Sequence, residues 1–83
     1  MTVTNFDFAA KTGIHYTMAS RLRNGERKPG LATVTATKDA FQLSDAEVTE
    51  WLDHIAQGAE QSGKWLREHI FDAPSPEALP ATG

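Results

Sequence analysis

Tyr16, Thr17, Ser20 and Arg21 stand at i, i+1, i+4 and i+5, a spacing that puts four hydrogen-bonding side chains on one side of a helix. Near a helix N-terminus such side chains can meet base edges in the major groove of DNA. Around this set lies positive charge. Six of the chain's eight basic residues (Lys11, Arg21, Arg23, Arg27, Lys28 and Lys38) fall between Lys11 and Lys38. Residues 1–43 carry these six against three acidic groups, net +3, while residues 44–83 carry two basic against eight acidic, net −6. A basic front and an acidic back suit a protein that offers one face to a polyanion, although charges also cluster by chance in short chains.

Other chemistries find little support. The chain has no cysteine, which excludes disulfides, thiolate zinc sites and cysteine nucleophiles. His15, His54 and His69 show no ligand spacing; Glu50 and His54 are i, i+4, but nothing supplies the third ligand that a metal would need. No serine–histidine–carboxylate set is evident, so catalysis is not expected. Neither a cofactor nor a small-molecule ligand is implied. The terminal LPATG resembles the sortase recognition motif, yet a secretory signal and a following hydrophobic segment are both missing. It reads as a chance feature of a proline-rich tail or as a ligation tag.

Which elements would hold these residues in place? Eighty-three residues make one small domain. A hydrophobic fraction of 40% and a charged fraction of 23% are ordinary for a folded chain. So small a core raises the expectation of a homodimer that buries extra apolar surface. The N-terminal MTVTNFDFAA lacks the pattern of a signal peptide, and no apolar run approaches the roughly 20 residues that span a bilayer. The expectation is therefore cytoplasmic, with no membrane partner.

Thr4 and Asp7 make a capping box for a short helix from about Asn5 to Thr12, whose inner face holds Phe8 and Ala9. Gly13 ends it in a tight turn. A second helix runs from near Tyr16 to Asn24, with Ile14, Met18 (or Ala19) and Leu22 on its buried side and Asn24-Gly25 as its stop. After the loop Glu26–Gly30, a third helix spans roughly Leu31 to Phe41, with Leu31, Val34 and Phe41 on one face and Thr37 and Ala40 completing it. Ser44 and Glu47 form a second capping box, opening a helix marked by Val48, Trp51, Leu52, Ile55 and Ala59. Gly58 and the Ser62-Gly63 pair suggest a break or kink, after which Trp65, Leu66, Ile70 and Phe71 close the fold. Residues 73–83 read as a disordered tail. The expected fold is an all-α bundle without strands.

A short helix, a glycine turn and a helix with polar residues outward make the helix-turn-helix pattern. The run FAAKTGIHYTMASRLRNGERKPG resembles the lambda-repressor-like, Cro/XRE-type family, with Phe8, Ala9, Gly13, Ile14, Ser20, Arg21, Leu22, Gly25, Arg27 and Pro29 in register. AFQLSDAEV is similar to the segment that follows in that family, so the resemblance covers about residues 4 to 52. There are departures. Ala19 stands where a bulky aliphatic is usual, and Arg23 replaces a frequent acidic residue. Only three residues precede Thr4, so the family's first helix is missing and the bundle is shortened at the N-terminus. The apolar surface it would cover falls to Trp51 or Trp65, or to a partner subunit.

The resemblance implies that residues 1–43 form the DNA-binding part, while residues 44–72 complete the core and serve dimerisation through Trp51, Ile55, Trp65, Leu66 and Ile70. It assigns Tyr16, Thr17, Ser20 and Arg21 to bases and Asn5, Arg23, Asn24, Arg27 and Lys28 to phosphates. Two of these have other readings: Tyr16 as a side chain packed on the first helix, and Arg23 as a solvated or intramolecularly paired group. Lys11 and Lys38 read as solvated face. The expected function is a sequence-specific, double-stranded-DNA-binding regulator, a small dimeric repressor acting by promoter occlusion. The alternative is a protein-binding adaptor that docks its partner on the acidic, tryptophan-bearing C-terminal helices.

Overall fold

Local capping chemistry delimits several of the helices in the computed structural model, which describes residues 3–72. Helix α1 (Asn5–Thr12) opens on the expected capping box: the Thr4 hydroxyl accepts from the Asp7 amide at 3.1 Å, and the Asp7 carboxylate accepts from the Thr4 amide. Gly13 terminates it at φ 78°, a left-handed conformation that costs glycine little. Helix α2 (Tyr16–Asn24) starts three residues later, capped by the His15 ring, whose Nδ1 accepts from the Thr17 amide at 3.1 Å. Its other end is a Schellman turn. The Glu26 amide donates to the Arg21 carbonyl at 2.9 Å, with Gly25 left-handed between them.

Helix α3 (Leu31–Phe41) closes with the same 6→1 bond, from the Leu43 amide to the Lys38 carbonyl. Here the left-handed residue is Gln42, at φ 53°. Helix α4 (Asp45–Gln57) begins at the expected Ser44–Glu47 capping box and stops at Gly58. Helix α5 (Ala59–Leu66) then runs into a π-helical turn (Arg67–Phe71), in which the Asp72 amide reaches the Arg67 carbonyl. The described residues contain these helices and no strand. The chain is an all-α bundle.

Two expectations about the helices need correction. Ser62-Gly63 is not a break; both residues are buried in the middle of α5. The Ser62 hydroxyl accepts the Trp51 indole N–H at 3.0 Å, and Gly63 lies against the end of α2. A Cβ on Gly63 would stand 2.6 Å from the Gly25 nitrogen, so only glycine permits this approach. Leu31 does not belong to the inner face of α3: it is 79% exposed, and burial begins at Val34.

One core joins both parts of the chain. Phe8, Ala19, Leu22, Trp51, Trp65, Leu66 and Phe71 are all buried, and Ile14, Met18, Phe41, Val48 and Ile55 pack against them. Ala19, where a bulky aliphatic is usual, is fully buried in this core. The apolar surface over α1 is covered from within the chain. Phe71 places its ring centroid 5.0 Å from that of Phe8, whose other neighbour is the Phe41 ring at 5.5 Å. The Val3 amide donates to the Phe71 carbonyl and ties the N-terminal segment to the last turn. Trp51 and Trp65 stack on each other at 5.4 Å where α4 meets α5.

That packing also corrects the expected dimer contact. Trp51, Trp65, Leu66 and Ile70 lie inside the chain's own core, so a second copy cannot reach them without opening it. Ile55 is half-buried against the same core. Periodicity showed that these positions face something apolar; it did not say that α2, α4 and α5 of the same chain cover one another. The described residues contain no helix long and apolar enough to cross a membrane. The expected tail, residues 73–83, and its LPATG lie outside the described residues.

Candidate nucleic-acid interface

Burial of Ala19 and Leu22 fixes how α2 is rotated, and its opposite side therefore faces outward. Tyr16, Thr17, Arg21 and Asn24 are exposed there, and Ser20 is half-buried beside them. All four expected base readers thus lie on one side of α2, Tyr16 and Thr17 in its first turn, Ser20 in the middle and Arg21 in its last turn. Thr17 spends its own amide on the His15 cap. Arg21 has no side-chain hydrogen bond or ion pair within the described residues. The same holds for Arg27 and Lys28, both exposed on the loop that leaves α2.

The remaining phosphate candidates behave differently. Arg23 is turned toward the C-terminal segment. Its Nη1 donates to Asn5 Oδ1 at 3.3 Å, its Nη2 stands 3.8 Å from an Asp72 carboxylate oxygen, and its guanidinium lies 5.0 Å from the Phe71 ring centroid. The intramolecular reading of Arg23 is the one the structure adopts, and we remove it from the phosphate set. Asn5 gives its carbonyl oxygen to this contact, which leaves the amide NH2 directed elsewhere. Asn24 makes a long 3.5 Å contact to Glu26 and is otherwise open.

Of the two lysines read as solvated, Lys38 donates to Asp45 at 2.8 Å, and Lys11 stands 5.5 Å from the Phe41 ring. The hydrogen bond from Lys38 and its charge hold the Asp45 carboxyl below its ordinary range. Tyr16 takes the packed position that was its other reading. Its ring packs on α1 through Phe6, 4.4 Å away between centroids, while 41% of the residue stays exposed.

Three contributors were missed in the sequence. His15 caps α2, a role for which Ser, Thr, Asp and Asn are the usual signals. Arg67 donates to the Arg23 carbonyl at 2.6 Å and so holds the C-terminal end of α2 from the other half of the chain. Phe6 carries a signal that was there to read: two residues before the buried Phe8, it is rotated about 200° from the core. It is 70% exposed. The histidines and Glu50 also resolve differently from the metal-like spacing. The Glu50 carboxylate accepts from the Trp65 indole at 2.9 Å and lies 3.2 Å from His69, whereas the His54 ring bonds the Glu50 backbone carbonyl.

No family model matches this chain, and neither a curated protein nor a solved structure does. The resemblance to the Cro/XRE-type family therefore rests on the residues themselves.

Proposed function

We propose that this chain is a sequence-specific regulator that binds double-stranded DNA through α2 and represses by occluding a promoter. One observation carries the reading: the outward face of α2 collects Tyr16, Thr17, Ser20 and Arg21, and the neighbouring cations Arg21, Arg27 and Lys28 have no partner within the described residues. In this reading Tyr16, Thr17, Ser20 and Arg21 contact bases, while Arg27, Lys28, Asn24 and the Asn5 amide hold phosphates. A homodimer on adjacent half-sites would space their centres by about one helical turn, roughly 34 Å. The adaptor alternative loses its tryptophan platform, because both indoles are fully buried.

Selection of binding sites from a random duplex library with the purified chain tests the reading. A repeated or palindromic motif supports it, and its affinity should fall with salt by about one unit of log–log slope per phosphate contact. If no sequence is enriched and duplex DNA is not retained near physiological salt, the chain is no DNA-binding regulator and the adaptor takes its place. On an enriched site, Arg21→Ala should relax preference at one base pair at a cost of about 1–3 kcal/mol, whereas Arg27→Ala should weaken all sequences alike. Identical behaviour of the two variants would sink the division into base readers and phosphate holders.

A further inference from the structure

Phe6 and Tyr16 occupy the first turns of α1 and α2, and their rings meet at 4.4 Å with planes tilted by 33°. A phenylalanine that is 70% exposed gains little from folding, since its apolar area remains in water. Here a second aromatic ring stands beside it, 41% exposed, on the same face that carries Thr17, Ser20 and Arg21. The patch is thus apolar at one end and cationic at the other. Arg21, with Arg27 and Lys28 beside it, suits a polyanion, and of the bases in duplex DNA only one offers an apolar group in the major groove, the C5-methyl of thymine.

The geometry points to Phe6 and Tyr16 as the thymine-reading element of the interface. The methyl group of one thymine seats against the more exposed Phe6 ring, which Tyr16 backs, and Phe6 is the specificity-determining residue. This inference rests on α2 being the recognition helix, and it assigns that helix a base. Phe6 has no hydrogen-bonding atom, so any preference it imposes comes from apolar contact alone. Arg21 imposes a preference for guanine by hydrogen bonding; the two groups therefore specify different base pairs by different chemistry.

The experiment uses the full chain and the duplex enriched from the random library, with each thymine in turn replaced by deoxyuridine, which deletes only the methyl group. At one position binding should weaken about fourfold, the equivalent of one buried methyl group. Phe6→Ala should bind the thymine and deoxyuridine duplexes alike at that position, whereas Tyr16→Phe should keep the discrimination because its ring remains. Unchanged helicity and melting temperature of Phe6→Ala exclude misfolding as the cause. The inference is overturned if the enriched site holds no fixed thymine, if every thymine is replaceable without loss, or if the discrimination persists in Phe6→Ala. Those outcomes leave α2 as a recognition helix. Failure to enrich any duplex removes both.

Discussion

Helices α2 and α5 pack against each other, yet they dispose of their polar groups in opposite ways. Across the α4–α5 face the polar atoms are spent internally: Trp51 on Ser62, Trp65 on Glu50, and His69 between the Trp65 carbonyl and Glu50. Along α2 the Arg21 donors have no partner among the described residues, Asn24 makes only a long contact to Glu26, and the one cation that is engaged, Arg23, is the one turned toward the C-terminal segment. Buried polar groups must be satisfied inside the protein, whereas exposed donors cost nothing to leave to water. The contrast therefore separates a part that makes the fold from a part held out by it. Arg67, donating to the Arg23 carbonyl, is where the two meet.

Substitutions at the closing end of the chain should break this contrast most strongly. Phe71 is fully buried against Phe8, and Phe71→Ala should cost about 3–5 kcal/mol in chemical denaturation, enough to unfold much of so small a domain. Gly63→Ala comes next. The new Cβ meets the backbone of Gly25 at 2.6 Å and that of Arg23 at 3.1 Å, and neither can rotate away as a side chain could. About 1–3 kcal/mol of overpacking should outweigh the roughly 1 kcal/mol that alanine contributes to a helix. A Gly63→Ala protein as stable as the parent would show that α5 does not approach α2 so closely. Arg21→Ala and Lys28→Ala should change stability by no more than about 0.5 kcal/mol, since both side chains lie outside every packed contact.

The division between what could be read from the sequence and what could not follows the range of the interactions. Both capping boxes and the glycine stops at Gly13 and Gly25 depend on residues a few positions apart, and each was legible. The outward set on α2 was legible for the same reason, because helical spacing and the buried Leu22 fix its direction. Ser62-Gly63 misled because glycine inside a helix looks like a break until its neighbour across the bundle, Gly25, is known. The tryptophans misled in a related way, since an apolar stripe does not name the surface that covers it. Arg67 and Arg23 are 44 residues apart, and no local pattern links them.

The smallest effects concern the caps, and they sharpen the contrast because they act on one helix at a time. The backbone and side-chain hydrogen bonds at Ser44 hold the Glu47 carboxyl below its ordinary value of 4.5. Because the folded value is depressed, this contribution is fully present above the unfolded value and is lost as pH falls through the folded one. The side chain is nearly all exposed, so the effect is modest. Ser44→Ala should cost about 1 kcal/mol at neutral pH. Glu47→Ala should lose its stability difference from the parent as pH falls below about 4.5, the range in which the parent's own carboxylate takes up a proton. The measurement is a denaturation series from pH 7 to pH 3. A gap between parent and Glu47→Ala that stays constant across that range would mean that the Glu47 charge contributes nothing through its bond to the Ser44 amide. Thermal melts would also answer for Gln42. Its left-handed backbone at φ 53° strains any residue with a Cβ, so Gln42→Gly should hold or raise the stability of the parent despite glycine's greater freedom in the unfolded chain. A loss of more than about 1 kcal/mol there would show that the Gln42 side chain contributes more than its backbone costs.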